Sequence, residues 1–290
     1  MLRMAATKIL GAIELGGTKT VVAIGSSDGA VIREKRFPTT TPEATLGHAV
    51  DWLKAQEAIS RLGVASFGPI RVDPAAPDFG TMLATPKDGW KGFPVAGFLS
   101  GSLGDIAVAL DTDVNAAALS EARLGAARGF DDVVYITIGT GIGGGVLSGG
   151  KLVHGTMHPE FGHVKVPRAP GDDFAGICPF HKDCIEGMAS GPAIRARWGK
   201  PAHDLPPDHP AWETEAWYLA HGILSLLAIL SPSIVVLGGG VSQAPGLHDR
   251  VNRILTEAAA GYFPILETGR PFVIPPALEQ EAGIKGALLL

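Results

Sequence analysis

Cys178-x2-His181-x2-Cys184 puts a histidine midway between the only two cysteines of this 290-residue chain. Thiolates and imidazole at that spacing suit zinc, which takes four nitrogen or sulfur donors. The fourth donor is expected to be His163 in HPEFGH, with His158 of the same segment in competition. A fully filled tetrahedral site has no room for a catalytic water, so the expected metal is structural. The competing reading of the two thiols is a buried or redox pair. A histidine bound to zinc keeps its second N–H, which lets His163 also address a substrate. Glu160 and Glu186 flank this segment. Two pinned carboxylates suit the adjacent hydroxyls of a polyol, although a lone glutamate is ordinarily a surface residue.

Glycine is the second signal, with seven glycines between Gly139 and Gly150. Gly139-Thr140-Gly141-Ile142-Gly143-Gly144 matches the dinucleotide pattern GxGxxG, and Glu160 stands where a ribose-binding acid would sit. That pattern requires a helix immediately afterwards. GGVLSGGKLV reads instead as a hairpin, which disfavours an NAD-dependent oxidoreductase. Gly145-x4-Gly150-Lys151 has P-loop spacing, but Leu152 stands where Ser or Thr must meet magnesium. The remaining reading uses two hairpin turns. A turn without Cβ atoms lets backbone N–H groups approach phosphate oxygens, and threonine hydroxyls add donors. Gly16-Gly17-Thr18-Lys19 and Gly139-Thr140-Gly141 are the candidates, although glycine pairs also simply close hairpins. Gly238-Gly239-Gly240 offers bare backbone against which an adenine could lie.

Asp113 is the candidate base, since it follows an apolar strand and opens a helix. Phosphoryl transfer to a sugar needs a carboxylate that takes the proton of the attacking hydroxyl. The alternative role is a helix N-cap, open equally to Asp111, Thr112 and Asn115.

The elements that must position these groups fall into two similar runs. Strands are expected at 9–14, 20–25, 30–36, 63–68 and 105–110, and helices at 43–60 and after Asn115. The pattern returns with a strand at 133–138, a glycine turn and a hairpin. Helices over 211–230 and 246–260 follow, with a strand at 234–240 between them. A helix over 282–290 is expected to pack back on the first lobe. The duplication predicts an α/β chain of two lobes around a cleft.

Composition narrows the classes further. With 24 basic and 29 acidic residues the net charge is −5, which opposes a general grip on nucleic acid or anionic membrane. The 39 glycines lack a three-residue period, so collagen is excluded. The opening MLRMAATKILGAIELGG has too short an apolar run for a signal peptide or membrane span, and a soluble cytoplasmic chain is expected.

Six ordered blocks resemble one family of sugar kinases, the ROK family, and within it the bacterial fructokinases. They are IELGGTK (13–19), TDVNAAALSE (112–121), YITIGTGIGGG (135–145), HPEFGH (158–163), CPFHKDCIEGMASGPAI (178–194) and VLGGGV (236–241). The resemblance implies an actin-like, hexokinase-type (ribonuclease H-like) duplicated fold. The implied division is a small lobe over 1–112 plus a C-terminal helix from about 275, and a larger lobe over 113–274 holding the zinc segment 158–190. It implies transfer of phosphate from ATP with Mg²⁺ to the 6-hydroxyl of a hexose, fructose first, in a chain that is commonly a homodimer. Glucose, mannose and N-acetyl hexosamines remain the alternative sugars.

Residue by residue, Asp113 matches the family's base. Glu160, His163 and Glu186 match its sugar-binding positions, joined by Gly68 and Thr112, with His163 also completing a zinc site of Cys178, His181 and Cys184. Gly17, Thr18 and Lys19 match the first phosphate loop, and Thr137, Gly139, Thr140 and Gly141 the second. Pro192 and Gly238, Gly239 and Gly240 match positions lining the nucleotide. Many of the family's glucokinases have Asp at the position of Glu14 and Asn at that of Thr112. Glu14, Thr112, the Cys-His-Cys order and Thr85-Pro86-Lys87-Asp88-Gly89-Trp90 resemble the fructokinase branch. About eight residues precede the first strand, too few for the helix-turn-helix domain of the family's repressors.

Overall fold

A computed structural model describes residues 8–56, 58–85 and 87–290. Residues 1–7 of the opening segment and Pro86 of the Thr85–Trp90 motif lie outside it. The chain divides into two compact units. The first takes the chain up to Ser120, with His154–His158 and Gln280–Leu290; the second takes Glu121–Val153 and Pro159–Glu279.

In unit 1, β1 (Leu10–Leu15), β2 (Lys19–Gly25) and β3 (Val31–Pro38) form an antiparallel meander. After α1 (Pro42–Lys54) the chain adds β4 (Leu62–Ser66), then α2 (Val95–Ser102) and β5 (Val108–Thr112), both strands parallel to β1. The order is β3-β2-β1-β4-β5. Leu15, Ser66 and Thr112 align across the three parallel strands, so the turn at Gly16, the segment at Gly68 and the start of α3 (Asp113–Leu124) leave one edge of the sheet. The carboxyl edge of parallel strands is where α/β sheets bind ligands. Ile13, Leu15, Val22, Leu46, Leu62, Val64, Trp90 and Leu99 form the core. The outer strand β3 exposes Arg33, Glu34, Lys35 and Arg36, charges that discourage edge pairing with another chain.

Unit 2 repeats the plan. β6 (Val133–Ile138), β7 (Ile142–Ser148) and β8 (Lys151–Leu152) are antiparallel. They are followed by α4 (Ile185–Ala189), α5 (Gly191–Trp198), α6 (Ala211–Leu230), β9 (Ile234–Gly238), α7 (Leu247–Ala259) and β10 (Val273–Ile274). The order β10-β9-β6-β7-β8 is that of unit 1 read from the other end, strand for equivalent strand. In α6, Trp212, Ala216, Leu219, Ala220, Ile223 and Leu227 recur at helical spacing and are all buried. No helix among the described residues is long and apolar enough to cross a membrane.

The expected elements shift at their ends for identifiable reasons. Helix α1 stops at Lys54 rather than 60, because Ser60 N donates to the Ile9 carbonyl (2.9 Å) and draws the chain into the sheet. Strand β5 starts at Val108, after the left-handed Gly104 and Asp105, and continues through Asp111 and Thr112, which pair with Ala65 and Ser66. Strand β9 ends at Gly238 because Gly239 turns away at φ 91°.

The last helix, α8 (Ala282–Leu289), is seated in unit 1 by glycine contacts. A Cβ on Gly63 would stand 1.7 Å from the Ala287 carbonyl oxygen, and one on Gly286 would stand 2.0 Å from that of Ala116. Ser120 Oγ also donates to the Ala282 carbonyl (2.7 Å). Gly286→Ala is therefore expected to destabilise the protein by about 1–3 kcal/mol, the usual cost of overpacking. An unchanged urea midpoint in that variant would contradict this seating of α8.

Candidate active site

At the mouth of unit 1, Thr39 fixes the first glycine turn. Its hydroxyl donates to the Gly16 carbonyl (2.7 Å), while its N–H donates to the Thr18 carbonyl (2.9 Å). Gly17, Thr18 and Lys19 remain exposed, with their backbone open to an anion.

The corner from β5 into α3 settles the capping ambiguity. Thr112 Oγ1 accepts from Asn115 N (3.2 Å), the N-cap geometry, so Asp113 is not needed as the cap. Asp113 Oδ1 accepts from Val114 N (2.9 Å), which fixes its carboxylate at the first turn of α3. Thr112 is buried, so its hydroxyl serves the helix start. Gly68 lies against the His158 imidazole, where a Cβ would stand 3.2 Å from the ring. His158, the rival zinc ligand, instead accepts from Ile70 N at Nε2 (3.3 Å).

Glu14 has a buried carboxyl oxygen, Oε2, with no hydrogen-bond partner among the described residues. Burial first, and the charge of Asp113 second, push its pKa up to about 7, against the pull of Lys19 and Arg36. The folded chain thus keeps a proton that the unfolded chain loses near pH 4.5. The associated stability, about 3 kcal/mol, is fully present below pH 4.5 and lost as pH rises through about 7. Glu14→Gln should remove this component, so its urea midpoint should exceed the wild-type value at pH 8 and the gap should close toward pH 4.5. Parallel pH profiles for the two proteins would refute the assignment.

In unit 2 the second glycine turn is closed by Gly139 N donating to the Gly141 carbonyl (2.9 Å), and Gly191 N donates to the Gly139 carbonyl (2.9 Å). Glu186 braces this turn, because its Oε2 accepts from Ile142 N (3.0 Å). A Cβ on Gly141 would meet that oxygen at 2.6 Å, which explains a glycine there. Glu160 has its pKa raised to about 7, first by burial and then by Glu186. Thr137 lies on β6, directly before the turn.

A cavity of about 550 Å³ opens beside the turn, lined by Gly139, Thr140, Pro192, Arg195, His203 and Gln243 among others. Gly240 also lines it. Gly238 and Gly239 are packed instead against unit 2 itself: a Cβ would stand 2.6 Å from the Tyr135 hydroxyl and 2.4 Å from the Ile138 carbonyl oxygen. Arg195, His203 and Gln243 carried no motif. Their spacing is irregular, and α5 and the loops around it bring them together.

His163, Cys178, His181 and Cys184 also meet, with their ligand atoms within 4.8 Å of one another. His163 Nδ1 lies 3.6 Å from Cys184 Sγ and 3.9 Å from Cys178 Sγ, and His181 Nδ1 lies 3.8 Å from Cys178 Sγ. Tetrahedral zinc with bonds of about 2.1 Å to nitrogen and 2.3 Å to sulfur spaces its ligands roughly 3.4–3.8 Å apart. The donor types suit zinc, and these three separations lie close to that spacing.

Two sheets of matching strand order, each with a glycine turn at the head of its central hairpin, define the duplicated actin-like fold of hexokinase-type proteins. Residues 10–290 match the ROK family, and the chain belongs to that family. It is 43% identical to a fructokinase from Zymomonas mobilis, covering 98% of this chain and 96% of that one. A fructokinase from Pediococcus pentosaceus is 39% identical over 97% of each chain. A ROK family glucokinase from Streptomyces griseus, solved with glucose and AMPPNP, is 25% identical with a TM-score of 0.74 over 98% of each chain. Gly144 lies within β7, a strand where the dinucleotide pattern requires a helix, which removes the dinucleotide reading.

Proposed function

We propose that this protein transfers the γ-phosphoryl group of MgATP to the 6-hydroxyl of D-fructose. Asp113 takes the hydroxyl proton as the oxygen attacks the γ-phosphorus. The bond to the β,γ-bridging oxygen breaks, and ADP leaves with the magnesium. The N–H groups of Gly17, Thr18 and Lys19, and those of Thr140 and Gly141, supply donors for phosphate oxygens. In phosphoryl transfer such positioning and charge stabilisation supply most of the acceleration. The cavity beside Pro192 and Gly240 takes the adenosine.

Glu160, His163 and Glu186 recognise sugar hydroxyls. Zinc held by His163, Cys178, His181 and Cys184 is structural in this reading and pins the segment from which both glutamates project. The corner from β5 into α3, where Thr112 caps the helix and Val114 N holds the Asp113 carboxylate at the first turn, is the observation that supports the chemistry. The fructokinase relatives support the choice of sugar.

An ADP-release assay across fructose, glucose, mannose and an N-acetyl hexosamine tests the proposal. Fructose should give the highest kcat/KM. A preference for another hexose would overturn the choice of sugar, and no sugar-dependent ADP release would overturn the reaction.

A further inference from the structure

Asp111 plays no part in the reaction as proposed, yet it is the most heavily engaged carboxylate near Asp113. It is only 3% exposed. Its Oδ1 accepts from Thr112 N (2.7 Å) and from Asn115 Nδ2 (2.7 Å). Its Oδ2 meets His154 Nε2 at 2.7 Å. An ionised carboxylate only accepts, so the proton lies on His154 Nε2. The 3.4 Å approach of Asn115 Nδ2 to that nitrogen is then a contact between two donors. The hydrogen bond from His154 raises the imidazole pKa above the ordinary histidine value, against the burial that lowers it.

His154 stands on the short segment His154–His158, which belongs to unit 1 although the residues on either side of it belong to unit 2. Imidazoles fasten the segment at both ends, His154 to Asp111 and His158 to Ile70 N.

We propose that His154 is a positioning residue for Asp113, acting through Asp111. Thr112 and Asn115, the residues that Asp111 holds, bracket Asp113. Their two hydrogen bonds to Oδ1 fix the backbone from 112 to 115 and hence the direction of the Asp113 carboxylate. Removing the His154 donor leaves Oδ2 buried and unpaired. The carboxyl then turns, and Oδ1 loosens its hold on both neighbours. A displacement of about 1 Å in a reacting group can cost roughly a hundredfold in rate.

This inference rests on Asp113 being the base. Fructose-dependent ADP release by the wild type and its loss in Asp113→Asn test that reading separately, in the same assay. Given those, His154→Ala should lower kcat by about ten- to a hundredfold while KM for ATP stays within about twofold and the melting midpoint within a few degrees. His154→Gln, whose amide keeps an N–H donor, should recover most of the lost kcat. If the alanine variant does not fold, His154→Asn takes its place; its shorter amide should leave kcat well below that of the glutamine variant. The proposal fails if kcat is unchanged, if glutamine is no better than the shorter side chain, or if activity falls only in step with the melting midpoint. A rise in KM for fructose at unchanged kcat would also overturn it, making His154 a sugar contact instead.

Discussion

Asp113→Asn is expected to lower kcat for fructose phosphorylation by about 10²–10⁴-fold, the range attributed to a positioned general base. The asparagine can still accept from Val114 N, as Asp113 Oδ1 does at 2.9 Å, so the start of α3 should keep its geometry. KM for fructose should therefore stay within a few-fold. Asp111, two residues away, cannot take over, because three donors already engage its carboxylate. Single-turnover measurement of the phosphoryl step separates this effect from slow product release. Turnover near the wild-type value would remove Asp113 from its role.

The second large effect is expected at the metal cluster. Cys184→Ser should abolish stoichiometric zinc, measured by elemental analysis, and lower the melting midpoint by at least about 10 °C. Structural zinc contributes on the order of 10 kcal/mol to the folding of small metal-bound modules. A loss of even about 4 kcal/mol moves the midpoint of a domain this size by roughly that amount. Activity should fall as well, because Glu160 and Glu186 lie within three residues of His163 and Cys184 along the chain. A zinc-free protein with an unaltered melting curve would show that the cluster does not hold the fold.

These groups were unequally legible in the sequence. Cys178, His181 and Cys184 could be read because all three fall on one turn, where chain spacing almost equals spatial spacing. His163 was already the expected fourth donor, and the fold sets it apart from His158, since two histidines five residues apart go to different units. The strand at 133–138 and the helix at 211–230 were plain from period and bounding residues. Helix α2 was not, because VAGFLSGS contains two glycines and two serines and is carried by packing rather than propensity. Arg195, His203 and Gln243 converge only through tertiary structure. Gly238 and Gly239 read as bare backbone for a base, while in the fold their Cβ directions face the Tyr135 hydroxyl and the Ile138 backbone. Sequence can show that bare backbone is required; it does not show which neighbour requires it.

The seating of α8 also has a consequence for synthesis. Unit 1 closes on residues 282–289, which follow every strand of unit 2 in chain order. During translation the five strands of unit 1 emerge first, yet the groove beside Gly63 and Ala116 stays open until the last helix has left the ribosome. Unit 2 has its whole sheet available earlier. The part that carries Asp113 is thus begun first and finished last, and a ribosome stalled before residue 282 holds a chain with an apolar groove still exposed.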